Sequence, residues 1–319
     1  MIDRYRSRRE PGIAGLATGG ERRAYLRHRF PATHAAVAAT LAMLPPDPAA
    51  PIQDAVDLGA GTGASAVAIL DTLPDLSSLT LIDSDGAALA MARPILAAAA
   101  TSRVAIATRR ADLSAASVPA ADLVSAAYLL NEMPGDRADA LVDAMLRSAR
   151  RAVLIVEPGS QVGFKALNRA RARLIEQGAR LLAPCPHAMA CPLADKADDW
   201  CHFPIPYTDP FDPAPQPASA SEKISFVLAV PPSRGTGAAE TGTRTRSDRI
   251  VKAPMRRTGH VVLDLCSRDG ALVRQTVTKR DRAAYKAARA AVWGDVWVDS
   301  GDESDPAPSL SPASKGDPA

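Results

Sequence analysis

The chain has 319 residues, 47% of them hydrophobic, and a formal net charge of only +3, enough apolar material for one large or two modest packed domains. So small a net charge excludes binding to nucleic acid by global basic excess, and any such face has to come from local clustering. No apolar run reaches the roughly 18 to 20 residues that span a bilayer, and the acids and arginines of Met1 to Phe30 leave no apolar signal core. The Ala-, Arg- and Asp-heavy, lysine-poor composition points to a soluble protein of the bacterial cytoplasm with no membrane partner.

Residues 1–50 are expected to form an N-terminal helical subdomain, with Thr18 as a cap and apolar residues at helical spacing up to the Pro45-Pro46 stop. Arg4, Arg6, Arg8, Arg9, Arg22, Arg23, Arg27 and Arg29 make it basic, which serves a solvated face as well as an RNA contact. From Pro51 the pattern changes to strand, glycine turn and helix. Ala55–Leu58 reads as a strand carrying Asp57, Gly59-Ala60-Gly61-Thr62-Gly63 as a turn, and 64–73 as a helix whose exposed first amides suit an anion. A second strand ends at Asp83, where an acid can hold both hydroxyls of a ribose. The G-x-G-x-G spacing with an acid just before it is more typical of S-adenosylmethionine enzymes than of the dinucleotide G-x-G-x-x-G.

The alternation continues through a third strand leading to Asp112, a fourth ending before Asn131 and Glu132, a helix over 137–149 and a fifth strand, RAVLIVEPGS. The expected core, residues 51–182, is therefore a doubly wound parallel α/β sheet of the class I S-adenosylmethionine-dependent methyltransferase (Rossmann-like) kind. Asp57, Gly59, Gly61, Gly63, Asp83 and Asp112 are its candidate cofactor contacts. Asn131 and Glu132 are weak catalytic candidates, because no D/N-P-P-Y sequence follows strand four.

Cysteine is used sparingly, and three of the four fall on one proline-punctuated insertion, residues 183–210: Cys185, Cys191 and Cys201, with Cys266 arriving at the end of a later strand. Two disulfides or four unrelated thiols would also account for them, but four thiolates make a full ligand set for a 4Fe-4S cluster or a zinc ion. His187 and His202 could join a mixed zinc site, and spacing alone leaves the two metals level. Trp200 and Phe203 are expected to cover the group. Residues 211–298 should complete the core and the cluster site with a proline-rich connector, the strand EKISFVLAV, a mobile loop over 231–246, and a hairpin turning at Asp269-Gly270 before a helix. Here Arg249, Lys252, Arg256, Arg257, Arg268, Arg274, Lys279, Arg280, Arg282, Lys286 and Arg289 face few acids and form the best phosphate-binding candidate. The acidic, Pro- and Ser-rich 299–319 reads as a disordered tail.

Taken together, DLGAGTG, VEPGSQVGF, APCPHAMACPL, DWCHF, APMRRTGHVVLDLC and YKAARAAVWGDVW resemble the methyltransferase-like protein family of the mitochondrial small ribosomal subunit and its bacterial relatives, over about Tyr25 to Trp297. The resemblance implies a 4Fe-4S cluster on Cys185, Cys191, Cys201 and Cys266, with zinc as the alternative. It also implies association with the small ribosomal subunit and its rRNA during assembly, by a protein expected to be monomeric off the ribosome. Methyl transfer to rRNA is the alternative activity.

Overall fold

The strands of this chain carry apolar residues toward both faces, as a sheet covered on both sides requires. The computed structural model describes residues 18–45, 47, 51–101, 103–113, 117–208, 220–232 and 247–298. The expected tail and most of the connector and the mobile loop lie outside these. Two helices, α1 (Gly19–His28) and α2 (Phe30–Leu41), come first. The single helical run expected there is broken at Arg29, and Pro31 sits in the first turn of α2, where a missing N–H does no harm.

Five strands, β1 (Asp54–Leu58), β2 (Ser78–Asp83), β3 (Ala105–Arg110), β4 (Ala121–Ala127) and β5 (Ala149–Pro158), then run parallel in the order β3-β2-β1-β4-β5. Ala55, Leu79, Leu81, Leu123, Leu154 and Val156 pack on α2, α3 (Ala64–Thr72) and α4 (Gly86–Ala99). Their neighbours Val56, Leu58, Val124, Val153 and Ile155 pack on α5 (Gly135–Ser148) and α6 (Gln161–Glu176) on the other face. Each fully buried Leu, Ile or Val contributes about 1.5–3 kcal/mol, so slipping one strand by a residue would exchange two cores at once.

The expectation of an all-parallel sheet needs correction. Beyond β5 comes β8 (Ala220–Val230), antiparallel to β5, and then β6 (Arg180–Ala183), antiparallel to β8; β7 (Phe203–Tyr207) pairs with the start of β8. A parallel neighbour needs a crossover, usually helical, and no helix lies among the described residues between β6 and β8. The order β3-β2-β1-β4-β5-β8-β6 with one reversed strand is the class I methyltransferase arrangement. Phe203 and Phe226, ring centroids 5.8 Å apart, fill the space where β7 meets β8.

A second sheet was not foreseen as a separate layer. It holds β9 (Asp248–Ile250), β10 (Met255–Arg257), β11 (His260–Cys266), β12 (Leu272–Thr278) and β13 (Val296–Trp297). β11 is flanked by β12 along one edge and by β10 and then β9 along the other. Ile250, Val261, Leu263, Leu265 and Trp297 pack with Ala288 of α7 (Arg282–Ala290) into a core of their own. The β11–β12 hairpin turns at Gly270, whose φ of 79° lies where a side chain is strained.

Candidate functional site

Strand order reverses between β1 and β4, and ligands of open α/β sheets bind beyond the carboxyl ends of the strands at such a point. The glycine loop stands there. Gly59, Gly61 and Gly63 have φ of 68°, 52° and 90°, and the Gly59 amide donates to Ile82 O at 2.8 Å. Asp83 ties the loop to the next turn: its Oδ2 accepts from Gly61 N and its Oδ1 from Asp85 N, each at 2.7 Å. Burial holds its carboxyl above the usual range against those two amides, and each oxygen keeps a further acceptor position for a ligand.

Asp57 lies beneath the loop, fully buried, and accepts hydrogen bonds from the hydroxyls of Ser65 and Ser125. Burial, opposed by those two bonds, raises its pKa to about 6. Its carboxylate supports the loop from inside the sheet. Ala111 N donates to Asp83 O, so the exposed Asp112 follows at the same edge. Asn131 and Glu132 lie in a short 3-10 turn after β4, Glu132 exposed and Asn131 with its Oδ1 buried and unpartnered among the described residues.

Sequence reasoning missed what holds that turn. Glu157, at the end of β5 and fully buried, accepts from the amides of Leu129, Leu130 and Asn131 at 3.2, 2.7 and 3.2 Å. Burial outweighs these three donors and lifts its pKa to about 8. Also missed were two straps across the carboxyl ends of the strands. Arg22 of α1 binds Asp85 through Nε at 3.0 Å and Nη2 at 2.8 Å. Arg29 pairs bidentately with Glu222 of β8 at 2.9 and 2.8 Å, 5.4 Å from the centroid of the Tyr128 ring, and the Tyr128 hydroxyl donates to Glu222 at 3.2 Å. Tyr128 is held at a φ of 58°. These two arginines are thereby committed to acids, where the sequence alone leaves a solvated face and an RNA contact equally open.

The cysteines meet at the seam of the two sheets. One cavity is lined by Cys185, Cys191, Cys201 and Cys266 together, with His187 and Phe203. The loop that carries three of them is anchored from several sides. Arg249 Nε donates to Pro184 O at 2.8 Å, Trp200 Nε1 to Gly159 O at 2.9 Å, and Ser225 Oγ to Cys201 O at 2.7 Å. Met189 packs on Gly270 of the hairpin so closely that a Cβ there would lie 2.9 Å from its Cε. Burial first, and then the other cysteines, push the Cys266 thiol up to about 12 and the Cys201 thiol well above its usual value. His187 Nε2 is 3.3 Å from Cys266 Sγ. His202 does not line the cavity; its ring packs edge-on against Trp293. Trp200 likewise serves as an anchor just after β5, and Phe203 alone of the two expected cover residues lines the cavity. Among the described residues no three His, Cys, Asp or Glu side chains are grouped to hold a metal ion.

The basic segment is less free than its composition. Arg249 is buried against the cysteine cavity, Lys252 pairs with Asp199 and Arg274 with Asp264, and Arg256 donates to the Arg289 and Ala291 carbonyls at 2.9 and 2.6 Å. Besides the exposed Arg280, Arg282 and Lys286 there is an open depression of about 700 Å³ lined by Arg256, Arg257, Gly259, Lys279, Tyr285 and Arg289.

Comparison with known proteins decides the kinship. The family described as "Mitochondrial small ribosomal subunit Rsm22" matches residues 20–298, across both sheets and all four cysteines. This chain belongs to the Rsm22 family. Two curated relatives, the mitochondrial Rsm22-cox11 tandem proteins 1 and 2 of Schizosaccharomyces pombe, are each 25% identical over 193 residues, 49% of this chain and 26% of theirs. The Rsm22-family chain thus spans about a quarter of the length of those relatives. Among solved structures, magnesium protoporphyrin IX methyltransferase (ChlM) from Synechocystis with bound S-adenosylmethionine superposes with a TM-score of 0.43 and 13% identity, over 72% of this chain and 90% of that one. The mitomycin 7-O-methyltransferase MmcR gives 0.42 and 15%, over 68% and 59%.

Proposed function

We propose that this Rsm22-family chain is an iron-sulfur protein with a methyltransferase fold that binds the small ribosomal subunit through its rRNA and assists its assembly, and hence translation. The observation that carries this reading is the family match, continuous from residue 20 to 298. Four cysteines from separate stretches line one cavity, which suits the four corners of a cluster. When bound, the cluster supplies a covalent bridge between the insertion and β11, and Cys185, Cys191, Cys201 and Cys266 would hold it. S-adenosylmethionine fits the loop of left-handed glycines, with Asp83 toward the ribose.

The depression beside α7 supports the RNA part. Arg257, Lys279 and Arg289 are exposed and belong to no ion pair among the described residues, and Tyr285 offers a ring for stacking. The setting we favour is the bacterial cytoplasm, with the protein monomeric off the ribosome. Active rRNA methylation is the second reading; the intact glycine loop and Asp83 serve cofactor binding under both readings and do not discriminate between them. Against it stand the absent D/N-P-P-Y and the closed cluster of Arg29, Tyr128 and Glu222 next to the turn that carries Asn131. Sedimentation of native protein with small-subunit particles, followed by RNA crosslinking, tests the first reading, which fails if the protein stays at the top of the gradient. Label passing from methyl-labelled cofactor to rRNA would move the conclusion to the second.

A further inference from the structure

Two arginines are buried in the wall of the cysteine cavity. Arg171, from α6, is 5% exposed, and Arg249, from β9, is 4% exposed. Arg171 Nε donates to Cys185 Sγ at 3.2 Å, and its Nη2 to the His187 and Met189 carbonyls at 2.8 and 2.9 Å. No carboxylate pairs with Arg171 among the described residues. Arg249 donates to Pro184 O and Gly294 O at 2.8 and 2.9 Å, and the negative groups acting on it are Cys185, Asp295, Cys201 and Cys266.

A guanidinium cannot shed its proton at neutral pH, and burying one without a counter-charge is unfavourable. Four protonated thiols, or two disulfides, are neutral and would leave that cost standing at Arg171, whereas Arg249 also has Asp295 acting on it. Four thiolates outweigh the positive charge of an oxidised iron-sulfur core, so the loaded cavity would be a net anion. Resting on the cluster reading above, we infer that Arg171 and Arg249 are the fixed counter-charges of the group held by the four cysteines, with Arg171 also hydrogen-bonded to its Cys185 sulfur. They are positioning residues that set the reduction potential of the cluster and its retention. Arg171 does a second job with the same side chain, since it also holds the loop carbonyls on either side of Ala188. Charge balance in the cavity and closure of the loop are therefore coupled.

The test uses full-length protein purified without oxygen, in wild type and in Arg171→Gln, Arg249→Gln, Arg171→Lys and Arg249→Lys. Iron and acid-labile sulfide are counted, and the potential is read by redox titration followed by EPR. Removing a positive charge disfavours taking up an electron, so each glutamine variant should shift the ratio of oxidised to reduced cluster at fixed potential about tenfold toward oxidised, about 59 mV for a one-electron couple. It should also bleach faster in air. Lysine at either position should recover most of that shift. Loaded glutamine variants with the wild-type potential would overturn the inference, and so would failure of glutamine and lysine variants alike to load, which would make the arginines carbonyl anchors only. Loading in the lysine but not the glutamine variants supports it. Wild type lacking iron and sulfide would overturn the cluster reading itself, an outcome visible before any variant is made.

Discussion

The two candidate centres are built in opposite ways. At the carboxyl end of the sheet the acids Asp57, Asp83 and Glu157 already have their hydrogen-bond donors within the protein, drawn from hydroxyls and from loop and turn amides. At the cysteine cavity the polar groups point at one another's charges without closing the account: thiols with raised pKa values, a buried arginine with no carboxylate, and a His187 Nδ1 with no partner among the described residues. The acids of the first centre would thus keep their partners without a ligand, whereas the second, if the cysteines hold a cluster, would lose a counter-charge on emptying.

The largest expected effect breaks the second centre. Cys266→Ser should abolish stable loading of iron and sulfide and free the loop from β11, seen as rapid proteolysis between Pro184 and Tyr207; resistance equal to wild type would mean that the anchors at Gly159 and Ser225 suffice. Next comes a test of self-sufficiency at the first centre. Glu157 binds a proton up to about pH 8 when folded but only to its ordinary 4.5 when unfolded. Its contribution is thus present in full below pH 4.5 and is lost as pH rises through 8, a change of several kcal/mol at most. Asp57, raised to about 6, contributes the same sign over a lower window. Urea titrations of Glu157→Gln should therefore lose the fall in stability between pH 6 and 8, and a slope unchanged from wild type would place the effect elsewhere.

Asp83→Ala should weaken S-adenosylmethionine about a hundredfold, about 2–3 kcal/mol, by calorimetry on ligand-free protein. Retained affinity would leave Asp83 as a pin for Gly61 and nothing more. The smallest effect concerns the depression outside both centres. Reversing charge at Arg257 and Lys279 should lower the slope of log affinity against log salt by about 0.9 for each lost phosphate contact on duplex rRNA, and about 0.7 on single strands. Arg256 is the wrong choice for that experiment because it anchors the end of α7.

What the sequence disclosed follows from range. Gly59 to Gly63, Asp83 and the five parallel strands are local patterns, each written within a few residues, and they stand where alternation and turn chemistry put them. The four cysteines were visible as a rarity against an alanine-rich background. The reversal of β8 was not visible, because its apolar run reads the same in either direction; no crossover helix lies before it among the described residues. Arg171 and Arg249 had a signal that went unread. Arg171 falls on the same helical face as Phe164, Leu167 and Leu174, all buried, and Arg249 sits in a strand directly before the buried Ile250. A charge placed on an apolar stripe has to meet something. Grouping the basic residues by composition hid this, since Arg249 was counted among the surface cations.

The straps at Arg22 and Arg29 have a consequence for traffic. Their acids, Asp85 after β2 and Glu222 on β8, lie on opposite sides of the switch point in the strand order, so α1 and Arg29 just after it are tied across the carboxyl ends of the strands. A cofactor bound in the glycine loop would lie at the same edge of the sheet as both ion pairs. Both pairs are partly open to solvent and therefore sensitive to ionic strength. Salt that loosens them would then act on the rates at which an occupant enters and leaves rather than on its affinity alone.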